Sequence, residues 1–209
     1  MPRRRRDREV ILPKVGMRPT RERQLISAAR ALLREEGFAR TTMMRVAKRA
    51  GLSTGTVQHY FTNKSGLLTE IMARLVGELA TSTRARLRGA EDPLARLDAL
   101  VTGQFADDVF TPETVAVWHV LWGNMREIDG LRELIHMWDR RAISNLRHTL
   151  RQLVPPDDIA EQTDGLLALT DGLWVRAAQS PHGLSAERAR DIARTYLACQ
   201  IRAARNAAP

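Results

Sequence analysis

Cysteine is almost missing from this chain, with Cys199 the only one in 209 residues. That excludes a framework of intramolecular disulfides and leaves open only a bridge between two copies. No run of about 18 apolar residues is present to span a bilayer as a helix. Met1 to Val10 carries arginines with no apolar stretch behind them, unlike a secretory signal, so the chain reads as soluble and cytoplasmic. Catalytic patterns are lacking too. His59, His119, His136, His148 and His182 form no metal-binding pair at helical spacing, no glycine-rich phosphate loop occurs, and no serine sits in a nucleophile elbow. The expectation is a protein without catalytic residues, metal or cofactor.

What the chain has is positive charge in one place. Residues 1–65 hold 16 Lys and Arg against 5 Asp and Glu, whereas residues 66–209 hold 17 against 19. A net +11 in the first third and −2 in the rest points that first third toward a polyanion, because clustered cations gain affinity by releasing condensed counterions. Charge alone does not separate nucleic acid from an acidic membrane surface.

Apolar residues recur at spacings of three and four throughout, the signature of helices. Breaks near Gly37, Gly51, Asn63, Asp92-Pro93, Thr111-Pro112, Asp129-Gly130, Pro155-Pro156 and Pro181-His182-Gly183 divide the chain into nine predicted helices. These span residues 20–36, 42–50, 53–60, 63–89, 93–107, 112–126, 130–152, 157–179 and 185–205. The fourth, about 40 Å long at 1.5 Å per residue, exceeds what a three-helix unit can cover and should link two domains. The fold class is therefore all-α. A basic arm (1–18) precedes a helix-turn-helix domain (19–65) and a larger helical domain (66–209).

Residues 42–61 read TMMRVAKRAGLSTGTVQHYF. Thr42 and Ser53 are placed to cap two short helices, Gly51 allows the tight exit between them, and Ala47 and Ala50 let them cross closely. Val57, Tyr60 and Phe61 anchor the second helix inward. Thr54, Gly55, Thr56, Gln58 and His59 face outward, able to reach base edges or phosphates in a major groove.

This stretch resembles the DNA-binding signature of the TetR family of repressors. The resemblance includes Thr41-Thr42, Ala50-Gly51-Leu52-Ser53, Thr54-Gly55-Thr56, His59-Tyr60-Phe61, Asn63-Lys64 and Leu67-Leu68. It implies that Thr54, Gly55, Thr56 and Gln58 lie nearest the bases and that Thr42, Tyr60 and Lys64 meet phosphates. Many members carry an aromatic residue where Gln58 stands. Here Gln58 is either a reader of adenine or a solvated or phosphate-facing side chain. The Arg3 to Arg8 segment is either a nonspecific solvated tail or an arm for the minor groove.

All four tryptophans fall beyond residue 65. Trp118 and Trp122 share a helix face, Trp138 lies on the seventh predicted helix and Trp174 on the eighth. They are either core or the walls of a box for a quaternary ammonium, held by cation–π attraction. Asp171, three residues before Trp174, is a counter-charge for such a cation, a partner of Arg141 or Arg176, or simply solvated. From Pro13 to about Leu197 the chain is similar to the choline-responsive TetR repressors of glycine betaine synthesis. The similar segments include Gly103-Gln104-Phe105, Trp118 to Trp122, Arg140 to Leu146 and Leu169 to Ala178. The resemblance implies operator DNA and choline as partners and a homodimer through helices 8 and 9, with Cys199 buried there as a small hydrophobe. Two other readings stay open: a repressor for a hydrophobic, uncharged effector, and a nucleic-acid binder with no ligand.

Overall fold

The computed structural model describes residues 17–180 and 182–207. Among them are nine α-helices and no strand: α1 Met17–Arg40, α2 Met43–Arg49, α3 Thr54–Tyr60, α4 Lys64–Leu87, α5 Pro93–Thr102, α6 Pro112–Gly123, α7 Leu131–Leu150, α8 Ile159–Gln179 and α9 Ala186–Ala207. The basic arm expected at 1–18 lies outside the described residues except for Met17 and Arg18, which open α1.

Side-chain caps start most of the early helices. The side chains of Thr42, Ser53, Asn63, Asp92 and Thr111 each accept a hydrogen bond from the backbone N–H three residues on, satisfying one of the donors a helix start leaves unpaired. Pro93 and Pro112 follow their caps at the first helical position, where a missing N–H is harmless. Several predicted helices are longer than the observed ones, and two of them end in a tighter turn. The turns expected to complete α5 and α6 tighten instead into 3-10 turns at Gly103–Phe105 and Met125–Glu127. The first helix breaks at Gly37 as expected, at φ +77°, and a short helical run follows from there to Arg40.

Two apolar cores share α4. The first joins Leu25, Leu32 and Leu33 of α1 to Val46 of α2, Val57 of α3 and Leu67, Leu68, Ile71 and Leu75 of α4. It also takes in Val117 and Leu121 of α6 and Leu131 and Ile135 of α7, so the helix-turn-helix unit rests directly on the larger domain. The second begins at Leu79 of α4 and continues through Leu97, Phe105, Leu150, Leu166, Trp174 and Leu197 of the later helices. At 24 residues, α4 runs about 36 Å from one core to the other.

The tightening after α5 has a steric cause. A Cβ built on Gly103 would lie 2.9 Å from the Cα of Thr83, and Ser82 of α4 donates to the Gly103 carbonyl at 3.2 Å. Only a residue without a side chain permits this approach of the chain to α4. Gly103→Ala is therefore expected to destabilise the fold by about 1–3 kcal/mol through overpacking. By contrast, Gly77→Ala, in an α4 position with nothing within 4 Å of the added carbon, should stabilise by about 0.5–1 kcal/mol. Urea unfolding midpoints check both, and a shift in the same direction for the two variants would refute the steric account.

Candidate functional site

The helix-turn-helix is built by local chemistry. Val46 and Ala47 of α2 and Val57 of α3 are buried, which fixes the roll of both helices. Gly51 turns the chain between them at φ +65°, a backbone conformation that other residues adopt only with strain. The Leu52 N–H then returns to the Ala47 carbonyl at 3.0 Å. This leaves Thr54, Gly55, Gln58 and His59 exposed on one surface, with Thr42 and Ser53 exposed beside them at their cap positions. Thr56 and Tyr60 are half-buried. The Thr56 hydroxyl lies 2.9 Å from that of Ser53, and the Tyr60 ring meets the edge of His59 at 5.4 Å.

Lys64 occupies a place that sequence spacing does not reveal. Its ammonium donates to the Phe38 carbonyl at 2.7 Å and sits 3.7 Å over the centre of the Phe38 ring. The carbonyl it takes lies just beyond the Gly37 kink and also accepts from the Thr41 N–H at 3.2 Å, so Lys64 ties the start of α4 to the end of α1. Desolvation lowers its pKa from the ordinary lysine value. One of its three donors is thus engaged in this structure, and two remain for a phosphate.

Two further ion pairs, not anticipated from sequence, fix α2 on α1. Arg49 makes a forked pair with Glu35 at 2.6 and 2.8 Å, holding the Glu35 carboxyl below its ordinary pKa, and Arg45 reaches Glu36 at 2.6 Å. These two arginines are therefore partly neutralised from within, while Arg40 and Lys48 stand exposed beside the same surface.

A second candidate site lies at the far half of α4. A cavity of about 440 Å³ opens between α4, α5, α7 and α8. Val101, Leu146, Leu166 and Thr170 form its buried part, and Arg84, Arg141, Asn145 and Asp171 are exposed at its rim. Trp138 and its neighbour Asp139, both half-buried, complete that side. Asp139 and Asp171 make no ion pair among the described residues, so the sequence alternative in which Asp171 pairs with Arg141 or Arg176 is not realised. Desolvation, reinforced by the like charge of Asp139, pushes the Asp171 carboxyl up to about 6; desolvation also raises Asp139, against the opposing influence of His136.

The structure does not gather the tryptophans into one box. Of the residues singled out for an effector, Trp138 and Asp171 line the cavity, whereas Trp118, Trp122 and Trp174 do not. Trp174 is 4 % exposed, wedged between Phe110 at 4.9 Å and Trp118 at 5.1 Å. The α6 face that carries Trp118 turns toward α8 and the apolar interior, where large rings gain most from burial. Asp139 was not anticipated. Its signal in sequence is that it interrupts the inward stripe running Ile135, Ala142, Leu146 on α7.

Comparison with known proteins decides the family. Residues 25–71 match the family described as bacterial regulatory proteins, tetR family, and residues 93–202 match the C-terminal region of BetI-type transcriptional repressors. The chain belongs to the TetR family of repressors, BetI type. It is 39 % identical to the HTH-type transcriptional regulator BetI 2 of Chromohalobacter salexigens over 89 % of this chain and 91 % of that protein. It is 34 % identical to BetI of Rhizobium meliloti over 92 % and 95 %. Among solved structures, a putative transcriptional regulator from Pseudomonas aeruginosa PAO1 superposes with a TM-score of 0.76 at 23 % identity, covering 88 % of this chain and 91 % of that one. One from Saccharomonospora viridis, solved in complex with choline, gives 0.73 at 22 %, covering 86 % and 96 %. These relatives are named as regulators, and this TetR-family chain is not an enzyme. No helix among the described residues is long and apolar enough to cross a membrane.

The two faces of Lys64 are separable by experiment. Lys64→Ala should lower the melting temperature without DNA, because losing the Phe38 contact is worth about 1 kcal/mol. It should also weaken all DNA sequences about equally. Gln58→Ala should leave melting unchanged and relax preference at one base position, where a paired contact discriminates by about 1–3 kcal/mol. Selection from a random DNA library reads the preference, and an unchanged profile would remove Gln58 as a base reader.

Proposed function

We propose that this repressor binds a pseudo-palindromic operator as a homodimer and is released when a small organic cation enters the cavity between α4, α5, α7 and α8. The observation that carries the reading is a pair of carboxylates without cationic partners, Asp139 and Asp171, set beside an indole at the mouth of an apolar cavity. A quaternary ammonium satisfies both features, since it offers charge to the acids and a polarising face to Trp138. Choline is the first candidate, supported by the choline complex of the Saccharomonospora viridis regulator and by the naming of the relatives.

Bases are met by Thr54, Gly55, Thr56 and Gln58, with His59 beside them, and phosphates by Thr42, Tyr60 and the two free donors of Lys64. Ser53 holds the start of the recognition helix. Dimerisation is assigned to α8 and α9, whose surface carries exposed small residues at Ala168, Gly172, Ala198 and Cys199. A partner copy placed there covers Cys199. Two α3 helices roughly 34–36 Å apart then enter successive major grooves. Because the cavity is walled by Ala80, Thr83, Arg84 and Leu87 of α4, a ligand acts on the end of the helix whose other end carries Lys64. A small rotation over about 36 Å of rigid helix becomes several ångströms at the DNA.

The acid pair makes cation binding pH-dependent. The groups facing Asp171 are Asp139 and Arg141 of α7 and Arg84 of α4, with His136 close to Asp139. A bound cation favours ionised Asp171, so affinity is full above about pH 7 and declines as pH falls through about 6. Titrating choline or tetramethylammonium against tryptophan fluorescence should show up to about tenfold weaker binding at pH 5 than at pH 7.5. Asp171→Asn should bind more weakly at pH 7.5 and lose most of that slope, the remainder belonging to Asp139. A slope unaltered by Asp171→Asn would remove Asp171 from the site.

A further inference from the structure

The cavity is too large and too apolar for a bare trimethylammonium head. At roughly 30 Å³ per water, 440 Å³ holds the equivalent of about fifteen waters. Choline fills less than half of that. The charged groups stand at the rim, and the buried lining is Val101, Leu146 and Leu166 with one hydroxyl, Thr170; the half-buried Thr83 and Gln104 are the other uncharged polar groups set in from the rim. Thr170 donates to the Leu167 carbonyl at 2.9 Å, so within the buried lining its hydroxyl is left only as an acceptor. A ligand that leaves this end empty forgoes the apolar burial that dominates small-molecule affinity.

We infer that the preferred occupant is an amphiphilic cation, with its ammonium head at the rim between Asp139, Asp171 and Trp138 and an alkyl tail running inward among Val101, Leu146 and Leu166. This rests on the reading of the cavity as the effector site, and it specifies the class of molecule that site selects. The rim also carries Arg84 and Arg141, which invites the opposite assignment, an anionic amphiphile. Two observations favour the cation. Arg84 is turned back on its own helix, donating to the Ala80 carbonyl at 3.1 Å and the Thr81 hydroxyl at 3.2 Å. Asp139 is half-buried whereas Arg141 is exposed, so the more enclosed of the two charges is negative.

The test is a homologous series titrated calorimetrically against the full chain at pH 7.5, below the concentrations at which the longer members form micelles. Tetramethylammonium, choline and the butyl-, hexyl- and octyltrimethylammonium ions vary the tail at constant charge, and octanoate supplies the anion arm. Affinity should rise by about fourfold for each methylene that enters, then level off once the cavity is full. Octanoate should bind more weakly than the octyl cation. Leu166→Phe, which shortens the apolar end, should bring the plateau to a shorter chain, with its helical circular dichroism confirming the fold. An affinity flat or falling with chain length would overturn the amphiphile while leaving the cation site standing. Tighter binding of octanoate than of the octyl cation would overturn the sign of the head group. If no cation of the series bound, choline included, the reading of the cavity as effector site would fall together with the inference.

Discussion

One constraint ties the helix-turn-helix to the half of the molecule that holds the cavity: α4 belongs to two hydrophobic cores at once. Its first half is buried against the helix-turn-helix through Leu67, Leu68, Ile71 and Leu75, and its second half against the larger domain through Leu79. A helix whose backbone hydrogen bonds are all internal does not bend easily, so displacement of one end is carried to the other. Packed apolar cores favour discrete rearrangement over gradual deformation.

The contact between α1 and α6 decides how such a movement is received. There the first core already includes Val117 and Leu121, and Trp118 packs against both cores. Beside it, Arg30 of α1 is set among three groups: Glu78 of α4 at 3.6 Å, Glu113 at 3.7 Å and the Thr114 hydroxyl at 3.3 Å, the last two on α6. Its buried Nε has no hydrogen-bond partner, so the guanidinium is held between two carboxylates without a full set of bonds to either. Glu22 of α1 adds a second tie to α4 through Arg74, which Glu70 also engages at 2.8 Å. The polar seam thus meets α1, α4 and α6 where the two cores join, and the DNA-binding unit is not an independent bead on a linker.

Much of this was legible in the amino-acid sequence, for reasons that differ from place to place. The helix-turn-helix follows from chemistry within twenty residues: caps at Thr42 and Ser53, a positive φ at Gly51, and burial at Val46 and Val57. The nine helices follow from periodicity and from breaks at proline and glycine. Contacts across long stretches of chain were not legible. Lys64 meets a carbonyl 26 residues away, and nothing in its spacing distinguishes that partner from a phosphate. The tryptophans show a related limit. A separation of four residues places Trp118 and Trp122 on one face of α6 but does not say whether Trp118 meets a cavity or, as it does, the ring of Trp174. The shortened α5 depended on Gly103 meeting Thr83, a contact that only the packed structure defines.

The central claim is that one equilibrium links the cavity to the DNA surface, and linkage makes that claim exact in sign and symmetric in size. Calorimetric titration of the cation into free protein and into the operator complex measures it most directly. The account predicts weaker cation binding to the complex, by the same factor by which saturating cation lowers operator affinity, about 5–150-fold for couplings of ordinary strength. Equal cation affinity in the two titrations would contradict it, whatever the affinity itself.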